Sequence, residues 1–522
     1  MAIIQQHLLH PIGESFVLTF ANTVNGREQH SGEYDIDDNG NIYVCIADNE
    51  EANVLKISSD GNIIWKKRIT DEDDSSRSTA IAVDKSSGDV YFVGKTYANL
   101  QYFSVGYQLM FGKYNSSGVR QWLKIFGDGY QYVAQWGVHY LEQSALVSGN
   151  RIHADSNGLK CRALVTHTCG AGFSDIFVSS FLEINSSGTL VRQRETSDFS
   201  TDSNNLNNCP NPWYNYSDRS LTYGALTKSR VSNHYYAAGS QRGVSQYQGT
   251  GDRWACIAKF DSIGDLVWNK KFRYSSSGNN DRFMDLSVDS NDNIYCSTSS
   301  TTSSPTTPNP LILKINSSGT LQWIRRLASN TQSGSAITSV FVDPDNDDNI
   351  FVMSRNKISG THNWGTDETV NVLTKYNASG TLQWQRVIAG FYINYSSMKV
   401  HGGFVYMMGY KYPGTGGVTD YLLLKIPKSG NLAGLITHDS NTFSVRNGGN
   451  TGNYDIYIDG GTGTGMSSTV NPSYQYYNNF TNRYTYNGSI NYANAANNSD
   501  GSAFGDSNSN TSCTKTSLGY YT

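Results

Sequence analysis

Charge is scarce in this chain of 522 residues: Asp, Glu, Lys and Arg together make up 16% of it, and the formal net charge is −4. A nucleic-acid partner, which is bound largely through released counterions, is therefore not expected. Proline is held to 10 residues and cysteine to seven, an odd number with no CxxC pair, so neither a disulfide framework nor a thiolate metal motif is written in the spacing. No run of eighteen apolar residues occurs, which leaves no helical membrane span to expect. The first Lys or Arg is Arg27, so Met1 to Phe20 lacks the charged start of a secretory signal, and export by another route such as lysis is expected.

Glycine and tyrosine are abundant, at 50 and 35 residues. With Asn, Ser and Thr they give the composition of a turn-rich β protein with an uncharged polar surface. The length then comes from repetition. LKISSDGNIIW at 55–65 returns as GKYNSSGVRQW (112–122), AKFDSIGDLVW (258–268), LKINSSGTLQW (313–323) and TKYNASGTLQW (374–384). Two weaker copies put Arg192 and Gly434 where Trp is expected, in LEINSSGTLVR (182–192) and LKIPKSGNLAG (424–434). The structural repeat positions are Gly61 with Trp65, Gly118 with Trp122, Gly264 with Trp268, Gly319 with Trp323 and Gly380 with Trp384, and Gly188 and Gly430 complete seven turns. A second hairpin precedes several copies, as in DIDDNGNIYVCI (35–46), AVDKSSGDVYFVG (82–94), SVDSNDNIYC (287–296) and FVDPDNDDNIFV (341–352). Both turns have hairpin chemistry, and a period of this size suits one four-stranded propeller blade.

Over residues 34–437 the two motifs resemble the bacterial β-propeller repeat family, whose units place a KhxxxGxhxW hairpin after a VDxxGNxYVxG hairpin. The resemblance implies an all-β fold, a seven-bladed β-propeller of four-stranded blades, and no particular activity, since that family has none in common. Ring closure needs the chain ends to meet. Phe16 to Phe20 is expected to complete the seventh blade. The domains read as an arm (1–15), the propeller (16–437) and a β-rich C-terminal segment (438–522).

Strand alternation puts both motif turns on one face and the long connections on the other. The connections are 97–107, 151–175, 197–220, 241–252, 299–310 and 355–370. Long loops on a rigid scaffold are the default binding surface. Arg151 and His153 in one loop, and Trp213, Tyr214 and Tyr216 in the next, combine flat apolar rings with hydrogen-bonding groups suited to a sugar or a protein. Aromatics that merely pin the loops are the plainer reading.

Other constellations are weaker. Asp35, Asp37, Asn39 and Gly40 begin like a calcium loop, but Ile46 stands where the bidentate Glu belongs, so the turn reads as structural; DPDNDD at 343–348 is more open to a cation. Cys161, His167, Cys169 and Cys209 match no zinc spacing and read as free thiols or a disulfide. Lys67, Lys124, Arg194, Lys270, Arg325 and Arg386 recur two positions past the Trp site; blade-to-blade pairing with the repeated Asp, or solvation, is expected over an anion-binding belt. There is no HExxH or GxSxG motif, and no catalytic residue or cofactor is assigned. The repeat turns are similar to the Asp-box hairpins of sialidase propellers, yet Ser58-Ser59-Asp60-Gly61 lacks the spacer between Asp and Gly. A carbohydrate-active enzyme working through channel carboxylates is the remaining catalytic expectation.

The C-terminal segment has few charges and ten tyrosines, with alternations at Tyr454 to Ile458, Tyr474 to Tyr476 and Tyr484 to Tyr486 that suggest short strands. With few aliphatic residues it is expected to pack on the propeller, on copies of itself or on another protein. In style, though in no motif, the chain resembles virion structural proteins of tailed phages. That resemblance implies a tail or fibre component contacting other virion proteins and a host surface glycan; a bacterial surface adhesin is the alternative.

Overall fold

The computed structural model describes residues 15–21, 33–48, 51–70, 77–96, 108–126, 152–167, 176–196, 221–242, 253–273, 281–300, 311–329, 336–358, 368–388, 392–411, 420–430, 466–469, 475–478, 492–494, 505–508 and 512–517. Strand β1 (Phe16–Ala21) precedes seven antiparallel sheets. Blade one is β2 (Glu33–Ile36), β3 (Ile42–Asp48), β4 (Glu51–Ile57) and β5 (Ile63–Thr70). Blade two is β6 (Arg77–Val83), β7 (Val90–Thr96), β8 (Gln108–Tyr114) and β9 (Arg120–Phe126). Blade three is β10 (Ile152–Asp155), β11 (Gly158–His167), β12 (Ile176–Asn185) and β13 (Leu190–Thr196). Blade four is β14 (Leu221–Lys228), β15 (Tyr235–Arg242), β16 (Arg253–Phe260) and β17 (Leu266–Arg273). Blade five is β18 (Asp281–Val288), β19 (Ile294–Ser300), β20 (Leu311–Ile315) and β21 (Leu321–Ser329). Blade six is β22 (Ala336–Val342), β23 (Ile350–Ile358), β24 (Glu368–Tyr376) and β25 (Leu382–Ile388).

Blade seven has three strands of its own, β26 (Tyr392–His401), β27 (Phe404–Lys411) and β28 (Asp420–Pro427), and β1 supplies the fourth. The first strands touch in sequence from β2 through β6, β10, β14, β18 and β22 to β26, and β26 touches β2 again, so the ring is closed. The fold is a seven-bladed β-propeller. Apolar side chains on facing sheets bury one another. Each of the seven interfaces between neighbouring blades holds its own buried cluster; Tyr34 and Leu55 of blade one, for instance, meet Phe404 and Tyr421 of blade seven.

The repeat motif fastens the blades. Trp65 Nε1 donates to the carbonyl of Ser116 in the next blade's outer turn at 3.1 Å, and Lys56 Nζ donates to the same oxygen at 3.3 Å. Trp122 and Lys113 meet on Ser186 O, Trp323 and Lys314 on Ala378 O, and Trp268 reaches Ser317 O. Blade three departs from the motif: Arg192 donates to Ile263 O, while Phe181 lies where an added Cβ on Gly264 would be, 2.4 Å from it. In blade seven Phe16 lies opposite Lys425, the register position that Trp holds elsewhere, and Lys425 Nζ closes the circle on Ser59 O at 2.9 Å. Such bonds are worth about 0.5–1.5 kcal/mol each when neutral and more when charged. The turn glycine makes room for them: Gly118 has φ +79°, and a Cβ there would lie 2.8 Å from the Trp65 ring.

Past blade seven the chain adds outer fifth strands in the reverse order of the blades. β29 (Met466–Thr469) pairs with β21, β30 (Gln475–Asn478) with β17, β31 (Tyr492–Asn494) with β9, β32 (Gly505–Asn508) with β5 and β33 (Ser512–Ser517) with β1. In blades one, two, four and five the belt meets the far half of the outer strand, beyond the Trp, whereas β33 pairs with all of β1. Asn508, Asn494 and Asn478 stand opposite Lys67, Lys124 and Lys270, three of the recurring basic positions. The alternations at 454–458 and 484–486 lie outside the described residues. Among the described residues no helix is long and apolar enough to cross a membrane.

The glycine seats set up a direct comparison. Gly118→Ala is expected to lose about 2–3 kcal/mol in urea unfolding, from left-handed backbone strain plus the displaced indole. Gly402 also has a positive φ (+57°), but open space surrounds its Cβ position, so Gly402→Ala bears only the strain of about 1–2 kcal/mol. Equal losses at the two sites would remove the seat from the explanation.

Candidate functional site

Of the residues expected to bind from the loop face, Arg151, Trp213, Tyr214 and Tyr216 lie outside the described residues, as do Cys169 and Cys209. His153 is not in a loop. The stretch expected as an insertion at 151–175 is, over its described part, the innermost hairpin of blade three, β10 and β11, turning at Asp155 to Gly158. The signal was present: Ala154-Asp155-Ser156-Asn157-Gly158 is the same Asp-led polar turn that the second motif shows in other blades. Cys161 is buried in the cluster between blades two and three and forms no disulfide among the described residues.

His153 faces blade four, where its ring meets Tyr235 at 6.1 Å edge to face. Its Nε2 is 3.8 Å from the Asp155 carboxylate, which also faces Lys228 at 3.6 Å, and has no hydrogen-bond partner among the described residues. Burial, with Lys228 adding to it, lowers the His153 pKa to about 4. The imidazole is thus neutral near pH 7 and half-buried in a seam between blades, on an inner strand and not on the loop expected from the sequence.

Several carboxylates of the inner strands and turns are committed to their neighbours. Asp35 accepts the Val83 N–H of blade two at 2.9 Å and pairs with Lys399 of blade seven at 3.0 Å. Burial alone would raise its pKa, but Lys399 and the Val83 N–H outweigh it and hold the carboxyl below its ordinary value. Asp285 accepts Ser339 Oγ at 2.7 Å and the Val340 N–H at 3.1 Å, both from blade six. In the calcium-like turn, Asp37 accepts the Asn39 and Asn41 N–H groups, Asn41 Nδ2 and Tyr43 Oη. At 343–348, Lys428 lies 2.9 Å from Asp343 and 3.0 Å from Asp345, and Arg230 lies 3.0 Å from Asp347. Among the described residues no group of three or more His, Cys, Asp or Glu is placed to hold a metal ion.

Two of the recurring basic residues, Arg325 and Arg386, act between blades. Arg325 Nε donates to Gly380 O at 2.7 Å and Arg386 Nε to Gly430 O at 2.6 Å, each guanidinium lying over its own blade's Trp. The pairing partner is a turn carbonyl in place of the expected Asp.

The face of short turns carries a feature that the sequence did not announce. Between blades five and six an open groove of about 840 Å³ is lined by Asn293, Gln322, Trp323, Asn349, Asn377 and Gln383 among others. Its origin is local. The inner turn of blade six closes from Asp343 to Asn349, whereas those of blades one and five close from Asp37 to Asn41 and from Asp289 to Asn293. The longer turn, visible in DPDNDDN, is the one sequence signal for it.

No family model matches the sequence, and no curated protein matches it. Solved structures similar to it include a protein of unknown function from Bacteroides caccae (11% identity, 72% of this chain and 93% of that one, TM-score 0.30). Others are a protein of unknown function from Dyadobacter fermentans (10%, 66% and 93%, TM-score 0.33) and the polysaccharide lyase Uly1 (9%, 78% and 92%, TM-score 0.31). Superpositions this distant carry no argument about what the chain does.

The depressed His153 pKa fixes a pH dependence. The unfolded chain takes up the proton near pH 6.5 and the folded one only near 4, so stability falls as pH drops through that window and is unaffected above it. Between pH 7 and 4, wild type is expected to lose about 1–3 kcal/mol more than His153→Gln in urea unfolding. Parallel curves for the two proteins would show that the ring does not titrate in this seam.

Proposed function

We propose that this chain is a non-catalytic binding module displayed by an extracellular assembly, with the propeller as the presented body and the C-terminal belt as its fastening. The observation that carries this reading is the commitment of two inner carboxylates: Asp35 and Asp285 spend their oxygens on neighbouring blades, where a glycan-cleaving site needs a pair aimed at a substrate. The belt agrees with service outside a cell, where a protein is not replaced on unfolding and endurance depends on the unfolding barrier. It adds strands to β1, the strand on which ring closure rests, and to four further blades. The low charge and the Asn, Ser, Gly and Tyr richness suit a surface adhesin and a tailed-phage tail or fibre protein alike.

Purified protein incubated with neutral and uronate-containing polysaccharides is expected to release neither reducing ends nor unsaturated products. Turnover that disappears in Asp35→Asn or Asp285→Asn would overturn the non-catalytic reading. Mass spectrometry of purified phage particles and of the cell-surface fraction is expected to find the chain in one of them, and its confinement to the cytosol would overturn the extracellular one.

A further inference from the structure

We propose that the groove between blades five and six is a binding site for a neutral polysaccharide. Its volume of about 840 Å³ falls within the range of small-molecule sites and leaves room for a few sugar rings. The lining is what an uncharged polyhydroxyl ligand requires: side-chain amides that accept from and donate to hydroxyls, beside a rigid apolar ring.

The amides are oriented before any ligand arrives. Asn293 Nδ2 donates to Asp289 at 2.8 Å and Asn349 Nδ2 to Asp343 at 3.0 Å. Gln322 Nε2 donates to Thr320 O and Gln383 Nε2 to Thr381 O, both at 3.2 Å. Each of the four nitrogens spends one N–H on its own turn, which orients the side-chain carbonyl as an acceptor for hydroxyl donors and leaves the second N–H as a donor. Asn377 is held the other way: its Oδ1 accepts the Thr381 N–H and Ser379 Oγ at 2.8 Å each, which leaves the amide nitrogen as a donor. A set of fixed amides loses little side-chain entropy on binding, and this favours a ligand recognised mainly by hydrogen bonds.

Trp323 supplies the apolar wall. Its indole is pinned by the bond to Ala378 O, by the edge of Tyr295 at 5.9 Å and by Arg325 over the ring at 5.0 Å. Charge in the groove is balanced. Lys314 and Asp348 both line it, and the ammonium of Lys314 is engaged by Ala378 O at 3.2 Å. Neither a phosphate nor a uronate finds a cationic cradle, so the uncharged sugar is the class that fits. Two such glutamines in adjacent blades set this interface apart: the position before the Trp is Gln in blades two, five and six (Gln121, Gln322 and Gln383), of which only five and six are neighbours, and Ile64 in blade one and Val267 in blade four.

This goes beyond the reading of the chain as a display module and fails separately from it, since retention on a polysaccharide is measured without reference to turnover. The full chain is to be run in native gels cast with a neutral glucan, mannan or galactomannan, and in parallel with alginate. Retardation by at least one neutral polymer and not by alginate is expected. Gln322 and Gln383 are exposed, so the double variant Gln322→Ala/Gln383→Ala is expected to keep the wild-type melting temperature and to bind about tenfold more weakly. Absence of retardation in every neutral polymer, equal retardation by alginate, or retention unchanged in the folded double variant would each overturn the proposal.

Discussion

One backbone carbonyl in each outer turn is the point on which the ring depends. A tight hairpin turn leaves such an oxygen unpaired, and here the preceding blade reaches across to bind it, as Trp65 and Lys56 do at Ser116. The bond ties a turn to a strand of the neighbouring sheet, so a blade is secured only when the next one is present. The turn glycine is part of the same device, because a side chain of the preceding blade, the indole at Gly118, Gly188 and Gly430, occupies the space a Cβ would need. A turn constrained in this way cannot drift in length. The outer turns of the propeller are accordingly uniform, and variation on that face is left to the inner turns, where blade six has the longer loop that opens the groove.

A ring of such bonds has no beginning, and the chain must make one from two ends. The N-terminal strand does this by entering blade seven with Phe16 in the place of Trp, so that Lys425 donates to Ser59 O with no indole beside it. The C-terminal belt then strengthens the weaker junction. Lys515 of β33 stands over the Phe16 ring at 5.4 Å and lies 3.1 Å from where an added Cβ on Gly61 would be. Thus β1 is paired on both edges, by β28 and by β33. The arrangement removes a sheet edge at the point where a propeller is most easily opened.

The fold was largely legible because it repeats. Gly118 or Trp122 alone would mean little, but seven turns in register define a blade, and Phe16 to Phe20 could be assigned to the closing position because a ring must close. The acceptors were not legible, since a backbone carbonyl is supplied by any residue, Ser116 or Ala378 alike, some fifty positions farther along. Blade three was misread for a related reason. Its inner strand, Ile152 to Asp155, is only four residues long, and Glu183 and Arg192 replace the usual Lys and Trp. The His and Cys residues there drew attention to ligand chemistry, although Cys161 is a core residue. The belt strands are three to six residues long and almost without aliphatic side chains. They exist because the outer strands offer them an edge, and no periodicity within the segment records that. The groove is assembled from turns of two blades and showed itself only as extra residues in DPDNDDN.

Strands β1, β28 and β33 act as one fastening, formed and released together. Peptide-resolved hydrogen exchange on the intact protein measures this directly. Amides of Phe16–Ala21, Asp420–Pro427 and Ser512–Ser517 are expected to exchange slowly and with a common opening free energy. Exchange of Ser512–Ser517 or Phe16–Ala21 at unprotected rates, while Asp420–Pro427 stays protected, would contradict a ring closed from both ends.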